Sequence, residues 1–326
     1  MKMFNSEAFQ GSFRKKNYFE GWYNKLVAPD GRTTLAAIPG ISLGSDSHAF
    51  VQINTSLGAS WYCRYPLDQA ELSPREYRVR IGKNLFSPQG MSLDLSTPDG
   101  TPIQGQVTYR SRIPYPKSLY RPGIMGPYSY VPAMECNHGL VSAGHDLEGS
   151  IQYGDAALDF TGGRGYIEKD WGRSFPSSWI WLQANNFSTD PQASFMLSIA
   201  RIPWMGSSFT GLLGYLYTEN RFYHLGSYLG SRILHLEILP QDIRIQIRTR
   251  SRLLEVHAHR DDGQELAAPV QGSMVRTIKE SVAAHLSVAL TDTARGRSLF
   301  SRDESTAAGL EVSGSMAELG AEEKMP

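Results

Sequence analysis

Cysteine is nearly missing from this chain: Cys63 and Cys136 are the two in 326 residues. Two thiols exclude a multi-disulfide scaffold and a four-thiolate zinc site. Net charge is missing too, since 32 Lys and Arg balance 32 Asp and Glu. That excludes the basic excess of a nucleic-acid binder and a polybasic membrane-surface segment. No run of 18 apolar residues exists, so no transmembrane helix is expected. Met1–Trp22 has no apolar signal-peptide region, and the expected compartment is the cytoplasm. A helical period is also scarce. Ser273–Ala284 comes nearest to one and is the best helix candidate.

What is abundant is aromatic and turn-forming: 16 Tyr, 13 Phe and 6 Trp beside 31 Gly and 18 Pro. Aromatics favour strands, while Gly and Pro punctuate turns. Ile243–Arg248 and Leu254–His259 alternate apolar and polar residues strictly, the period of a half-buried strand. Ile233–Leu239 and Ala284–Leu290 read as strands as well. So do Thr33–Ile38, Ala49–Asn54, Tyr77–Ile81, Leu93–Ser96 and Gln104–Tyr109. The predicted class is all-β, as sandwiches or barrels.

Five prolines in residues 110–134 forbid a long helix or central strand there. Composition reads this stretch as an inter-domain linker, or else as an ordered loop over a cavity. The tail from Ser301 has six acidic residues among 26 and little apolar content, so 301–326 is expected to be disordered.

Three motifs carry little weight. Gly40-Ile41-Ser42-Leu43-Gly44 fits a nucleophile elbow, but a strand-like segment follows where a helix is required, and a turn is the better reading. Gly162-Gly163-Arg164-Gly165 lacks phosphate-loop spacing and reads as a tight turn. Glu255, His257 and His259 share a strand face like metal ligands, yet Leu254, Val256 and Ala258 make the opposite face the core side. No metal site is expected.

The informative segment is Gly165–Gly172. As a strand it points Tyr166, Glu168 and Asp170 to one face and Ile167, Lys169 and Trp171 to the other. Either the acids face water over an apolar core, or a tyrosine and two acids face a cavity. Next along the chain, Trp179, Trp181, Gln183 and Asn185 share a face opposite Ile180, Leu182 and Ala184. Such a face suits an apolar ligand with a polar end. Met134–Ser142 adds Glu135 and His138, with Cys136 and His138 on one face and Glu135 on the other.

At these residues the sequence resembles the tocopherol cyclase family. The matching pieces, in the family's order, are Phe19–Tyr23, Pro122–Pro127, Met134–Gly139, Gly165–Gly172 and Phe175–Gln183. The resemblance implies two lipocalin-like antiparallel β-barrel domains in tandem, related to carotenoid hydratases. The expected division is 1–133, including the Pro/Tyr-rich connection at 110–133, and 134–300. It also implies that this connection is a family feature between the halves. A Tyr-x-Asp pair in the hydratase branch falls here on Tyr166 and Glu168, so the acid is kept on a longer arm. Lys169 stands where those relatives often have histidine, and His138 matches their upstream histidine.

The implied activity is cyclisation of a prenylated hydroquinone to a chroman, an isomerase or intramolecular-lyase reaction without cofactor. An acid protonates the alkene, and the phenol oxygen captures the tertiary cation. The acid must hold a proton near neutral pH, so its pKa must rise above about 4.3. Glu168 ranks first, then Asp170, then Glu135, with Glu168 and Asp170 as a proton-sharing pair. Glu20 is given a structural role. Trp22, Tyr166, Trp179 and Trp181 would face the cation, and His138 or Asn185 would hold the phenol. The expected partner is a hydrophobic prenylated aromatic molecule, with peripheral membrane contact for access. The alternatives are a non-catalytic carrier of a hydrophobic ligand, which has no use for a buried acid, or a related alkene hydratase.

Overall fold

The computed structural model describes residues 2–132 and 134–323. It contains two large β-sheets and, among the described residues, only short 3-10 turns as helix. The first sheet is built from β1 (Tyr18–Val27), β2 (Thr34–Leu43), β3 (His48–Thr55), β4 (Ser60–Tyr65), β5 (Ala70–Leu72), β6 (Val79–Ile81), β7 (Asn84–Ser87), β8 (Gly90–Ser96), β9 (Pro102–Arg110), β10 (Cys136–Tyr153), β11 (Ala156–Asp159) and β12 (Arg164–Gly172). The second comprises β13 (Trp179–Ala184), β14 (Ser194–Trp204), β15 (Ser207–Thr218), β16 (Arg221–Gly226), β17 (Arg232–Ile238), β18 (Asp242–Arg248), β19 (Arg252–His259), β20 (Gln264–Val270), β21 (Ser273–Asp292), β22 (Arg297–Ser313) and β23 (Glu322–Glu323).

The first sheet runs β4-β3-β2-β1-β12-β10-β9-β8-β7-β6-β5, with β11 on β10. The second runs β16-β15-β14-β13-β22-β21-β19-β18-β17-β23, with β20 on β21. The described pairings are antiparallel except β17 with β23. Among the described residues the pairing gives two large, almost wholly antiparallel sheets.

The chain divides into two compact units. Unit 1 is residues 1–175 with 264–278, and unit 2 is residues 176–263 with 279–326. This differs from a division at 133/134. The reason is strand pairing: β10 pairs with β9 and β12 with β1, so both complete the first sheet. The Pro/Tyr-rich stretch is therefore part of unit 1 and not a linker between units. It is fastened there by Ile113, whose N–H donates to Gly144 O and whose carbonyl accepts from Ala143 N–H. Residue 133 lies outside the described residues.

The alternating strands appear as expected, with Ile243, Ile245, Ile247, Leu254, Val256 and Ala258 in one apolar cluster of unit 2. His257 bonds Asp242 at 2.9 Å on the other, half-exposed face. Ser42 lies within β2, not in a turn, and its hydroxyl donates to Gly272 O at 2.8 Å. Gly162, at φ +83°, makes the tight turn into β12.

Two expectations are corrected. Ser273–Ala284 is not a helix but the first part of β21, because pairing with β22 and β20 overrides its weak local period. The tail is not disordered through Ser313. There β22 sits between β13 and β21 and buries Ala307, Ala308 and Leu310. A central strand of small residues needs little apolar mass, since both neighbours satisfy its backbone. Residues 324–326 lie outside the described residues.

Candidate active site

β12 is held on both sides, by β1 and by β10. Its register sets Glu168 opposite Tyr23 on one side and Leu140 on the other, and Asp170 opposite Gly21 and His138. Alternation then does what the sequence predicts. Ile167 joins the apolar cluster of unit 1 and Trp171 packs against it, while Tyr166, Glu168 and Asp170 occupy the other face. That face is nevertheless sheltered: Tyr166 is fully buried and the Glu168 side chain is 5% exposed, against 26% for Asp170.

The polar groups form a chain. Tyr166 OH donates to Glu168 Oε2 at 2.6 Å. His138 Nε2 lies 3.5 Å from the same oxygen, an ion-pair distance, and Nδ1 lies 2.9 Å from Asp170 Oδ1. His138 thus stands between the two acids, with one ring nitrogen toward each. Burial pushes its imidazole down, but the Asp170 and Glu168 carboxylates outweigh this and raise it to about 9. At neutral pH it is an imidazolium.

The Pro/Tyr-rich stretch supports this histidine: the backbone N–H of His138 reaches Met125 Sδ at 3.1 Å. Cys136 Sγ lies 4.0 Å from Asp170 Oδ1, and its thiol is pushed well up by burial and by the Asp170 and Glu135 charges. Glu135 is not in the chain. It precedes β10, and its carboxyl is raised by burial against the opposing pull of Arg173.

The back of β12 carries a buried cation and corrects the expected place of Trp22. Lys169 faces away from Glu168, as alternation requires, but not toward solvent. It is fully buried, with Nζ 2.5 Å from Glu20 Oε1 and bonded to Ser6 O and Ala8 O. Trp22 pairs with Lys169 in register and so lies on this rear face, under the ammonium at 4.5 Å. It is not on the acid face. Its neighbour in the same motif, Tyr23, is the residue opposite Glu168. Counting alternation through Gly21, Tyr23 and Lys25 would have found it. Glu20 has the structural role assigned to it, accepting from Gln10 N–H, Gly11 N–H and Tyr18 OH.

In unit 2, Trp179, Trp181, Gln183 and Asn185 are all buried, opposite Ile180, Leu182 and Ala184 in the apolar cluster. Trp179 Nε1 donates to Glu311 Oε2 at 2.6 Å. Gln183 Nε2 donates to Asn185 Oδ1 at 3.1 Å, while Asn185 Nδ2 has no partner among the described residues. Sequence reading missed Glu311 and the fully buried Glu280, which pair in register between β22 and β21. Glu280 falls in Ser273–Ala284, whose weak helical period hides its strand alternation.

His138, Glu168 and Asp170 each offer a ligand atom, all within 4.8 Å of one another, so these three residues could hold a divalent cation. Without an ion, the same atoms make a charged relay able to hold and pass a proton beside a phenol.

A family described as tocopherol cyclase-like matches residues 101–314. A probable chloroplastic tocopherol cyclase of Oryza sativa subsp. japonica is 25% identical over 369 aligned positions, covering 91% of this chain and 75% of the relative. Among solved structures, CghA superposes with a TM-score of 0.57 at 11% identity, covering 91% of this chain and 88% of its own. A putative AttH from Nitrosomonas europaea gives 0.50 at 12% identity, covering 90% and 92%. These two likenesses concern the fold.

Proposed function

Because the chain belongs to the tocopherol cyclase-like family, we propose that it is an acid catalyst that closes a prenylated hydroquinone to a chroman. The two sheets are proposed to be the walls of two lipocalin-like barrels. The reaction is an isomerisation. A proton adds to the less substituted alkene carbon, the phenol oxygen bonds to the tertiary cation, and the phenolic proton returns to the protein.

The observation that carries this reading is the chain Tyr166–Glu168–His138–Asp170. Glu168 is the proposed donor. Tyr166 orients its carboxyl group, and the His138 imidazolium, held by Asp170, passes it the proton before each delivery to the alkene. The proton thus stays in the relay between turnovers, and no redox partner is needed. The Tyr166 ring is the proposed cation-facing surface on this strand. In unit 2, Trp179, Trp181 and the Gln183–Asn185 amide pair are proposed ligand-binding residues. A carrier has no use for a buried carboxylate beside an imidazolium, which favours catalysis over mere carriage.

The insoluble substrate is proposed to arrive from a bilayer surface. Leu119 and Tyr120, 75% and 89% exposed, project between Lys117 and Arg121 at a turn closed by the Ser118–Arg121 bridge. The exposed apolar tip suits insertion into an interface, while beside it Lys117 pairs with Glu7 at 3.7 Å and Arg121 lies over the Tyr115 ring.

The test is turnover of a phytyl-dimethylhydroquinone in D2O. One deuterium should appear on the carbon beside the new quaternary centre. Glu168→Gln should lower kcat about 10²–10⁴-fold. Unchanged turnover in that variant removes Glu168 as the acid.

A further inference from the structure

β12 continues its acid face one pleat beyond Tyr166, to Arg164. Arg164 is 8% exposed. Its Nη1 donates to Asp146 Oδ1. Its Nε and Nη2, which form one edge of the guanidinium, are shielded from solvent and have no hydrogen-bond partner among the described residues. The neighbouring backbone leaves room for this edge, because a Cβ at Gly144 would lie 2.8 Å from Nη2. Lys25, also fully buried, stands opposite Tyr166 in the β1–β12 register, so a second cation shares this end of the face.

Buried N–H groups without an acceptor are costly, and natural structures almost always supply one. The Nε–Nη2 edge is a planar two-donor fork, and its matching acceptor is a carboxylate. We propose that this edge of Arg164 seats a carboxylate of the bound ligand. Taken with the proposed function, on which this part rests, the substrate is then an acidic prenylated compound. Arg164 and Glu168 are four residues apart, about 13 Å along a strand. Carboxylate and reacting alkene should therefore be separated by a distance on the order of 10 Å.

The probes are geranate, an unsaturated isoprenoid carboxylate, and its primary amide, titrated calorimetrically into the full-length protein at pH 7. Geranate should bind at least about tenfold more tightly than the amide. Arg164→Gln should abolish the preference. Arg164→Lys keeps the charge but not the fork, and should shrink the preference to about threefold or less. It serves as the readout if Arg164→Gln does not fold. Glu168→Gln should keep the preference, so failure of the cyclase reading and failure of the carboxylate seat are distinguishable. Equal binding of acid and amide, or a preference that survives in Arg164→Lys, overturns the proposal. So does a ligand-soaked crystal structure with only water on that edge.

Discussion

Lys169 and Glu20 form an ion pair, Nζ to Oε1 at 2.5 Å, with neither side chain exposed, directly behind the strand face that carries Glu168. Every strong donor of the ammonium is directed: to Glu20, to Ser6 O and to Ala8 O. Trp22 and Trp171 cover it at 4.5 and 4.8 Å. The pair therefore ties the N-terminal segment to β12 and fixes that strand's rotation. Removing one partner strands a buried charge. Lys169→Met or Glu20→Gln should each cost about 3–5 kcal/mol in urea unfolding. The double variant should cost clearly less than the sum. A single variant within about 1 kcal/mol of the parent would refute this role.

The His138 imidazolium gives a pH prediction of definite sign. Its folded value of about 9 lies above the ordinary 6.5. Its stabilisation is therefore complete below pH 6.5 and is lost as pH rises through 9. The loss should be on the order of 3 kcal/mol by pH 9. His138→Gln should flatten this alkaline limb of the stability curve. Asp170→Asn should move the limb to lower pH, because the stronger of the two charges holding the proton is gone. An alkaline limb that is the same in all three proteins would show that His138 does not titrate there.

How far the residues alone disclose this arrangement depends on the range of each interaction. Alternation is local, so it places Tyr166, Glu168 and Asp170 on one face of β12 and Trp181 with Gln183 on one face of β13. It says nothing of partners far along the chain. Lys169 meets the carbonyl of Ser6 from 163 residues away, and no nearby residue signals that it is buried rather than solvated. The face of Trp22 is hidden for the same reason, since only the register with β12 sets which face of β1 meets which face of its neighbour. The polar strand β22 shows the complementary failure. Hydrophobic pattern under-reads a central strand whose two neighbours supply its hydrogen bonds.

His145 sets the acid side of the stability curve. Burial first, then the Arg164 and Arg112 charges, press its imidazole down to about 3. Its ring lies 4.3 Å from the Tyr109 ring at a 47° tilt, and Nδ1 contacts Ser142 Oγ at 3.0 Å. A histidine held neutral contributes stability above its unfolded value of 6.5, and loses it as pH falls toward 3. The cost should be on the order of 4 kcal/mol by pH 3. Together with His138 this places maximum stability near pH 6–7. His145→Gln should make the acid limb shallower, as followed by thermal melting between pH 4 and 7. A steeper limb in that variant would contradict the assignment.

The Leu119–Tyr120 tip makes a prediction independent of the chemistry. The Tyr130 hydroxyl donates to Leu119 O, so the turn is held from below while both side chains stay free. Insertion of two apolar side chains is weak alone, and an anionic surface adds a salt-dependent attraction only by competing with Glu7 for Lys117, since Arg121 lies over the Tyr115 ring. The protein should co-sediment with phosphatidylcholine vesicles containing phosphatidylglycerol, and several-fold less with phosphatidylcholine alone. Raising the salt should weaken the binding, because the lipid charges are screened within about 10 Å at 0.1 M. Leu119→Ser with Tyr120→Ser should reduce vesicle binding several-fold while leaving turnover of detergent-solubilised substrate unchanged. If the double variant binds vesicles like the parent, this turn is not the membrane contact. If it also loses turnover in detergent, the tip belongs to the substrate path rather than to the bilayer surface.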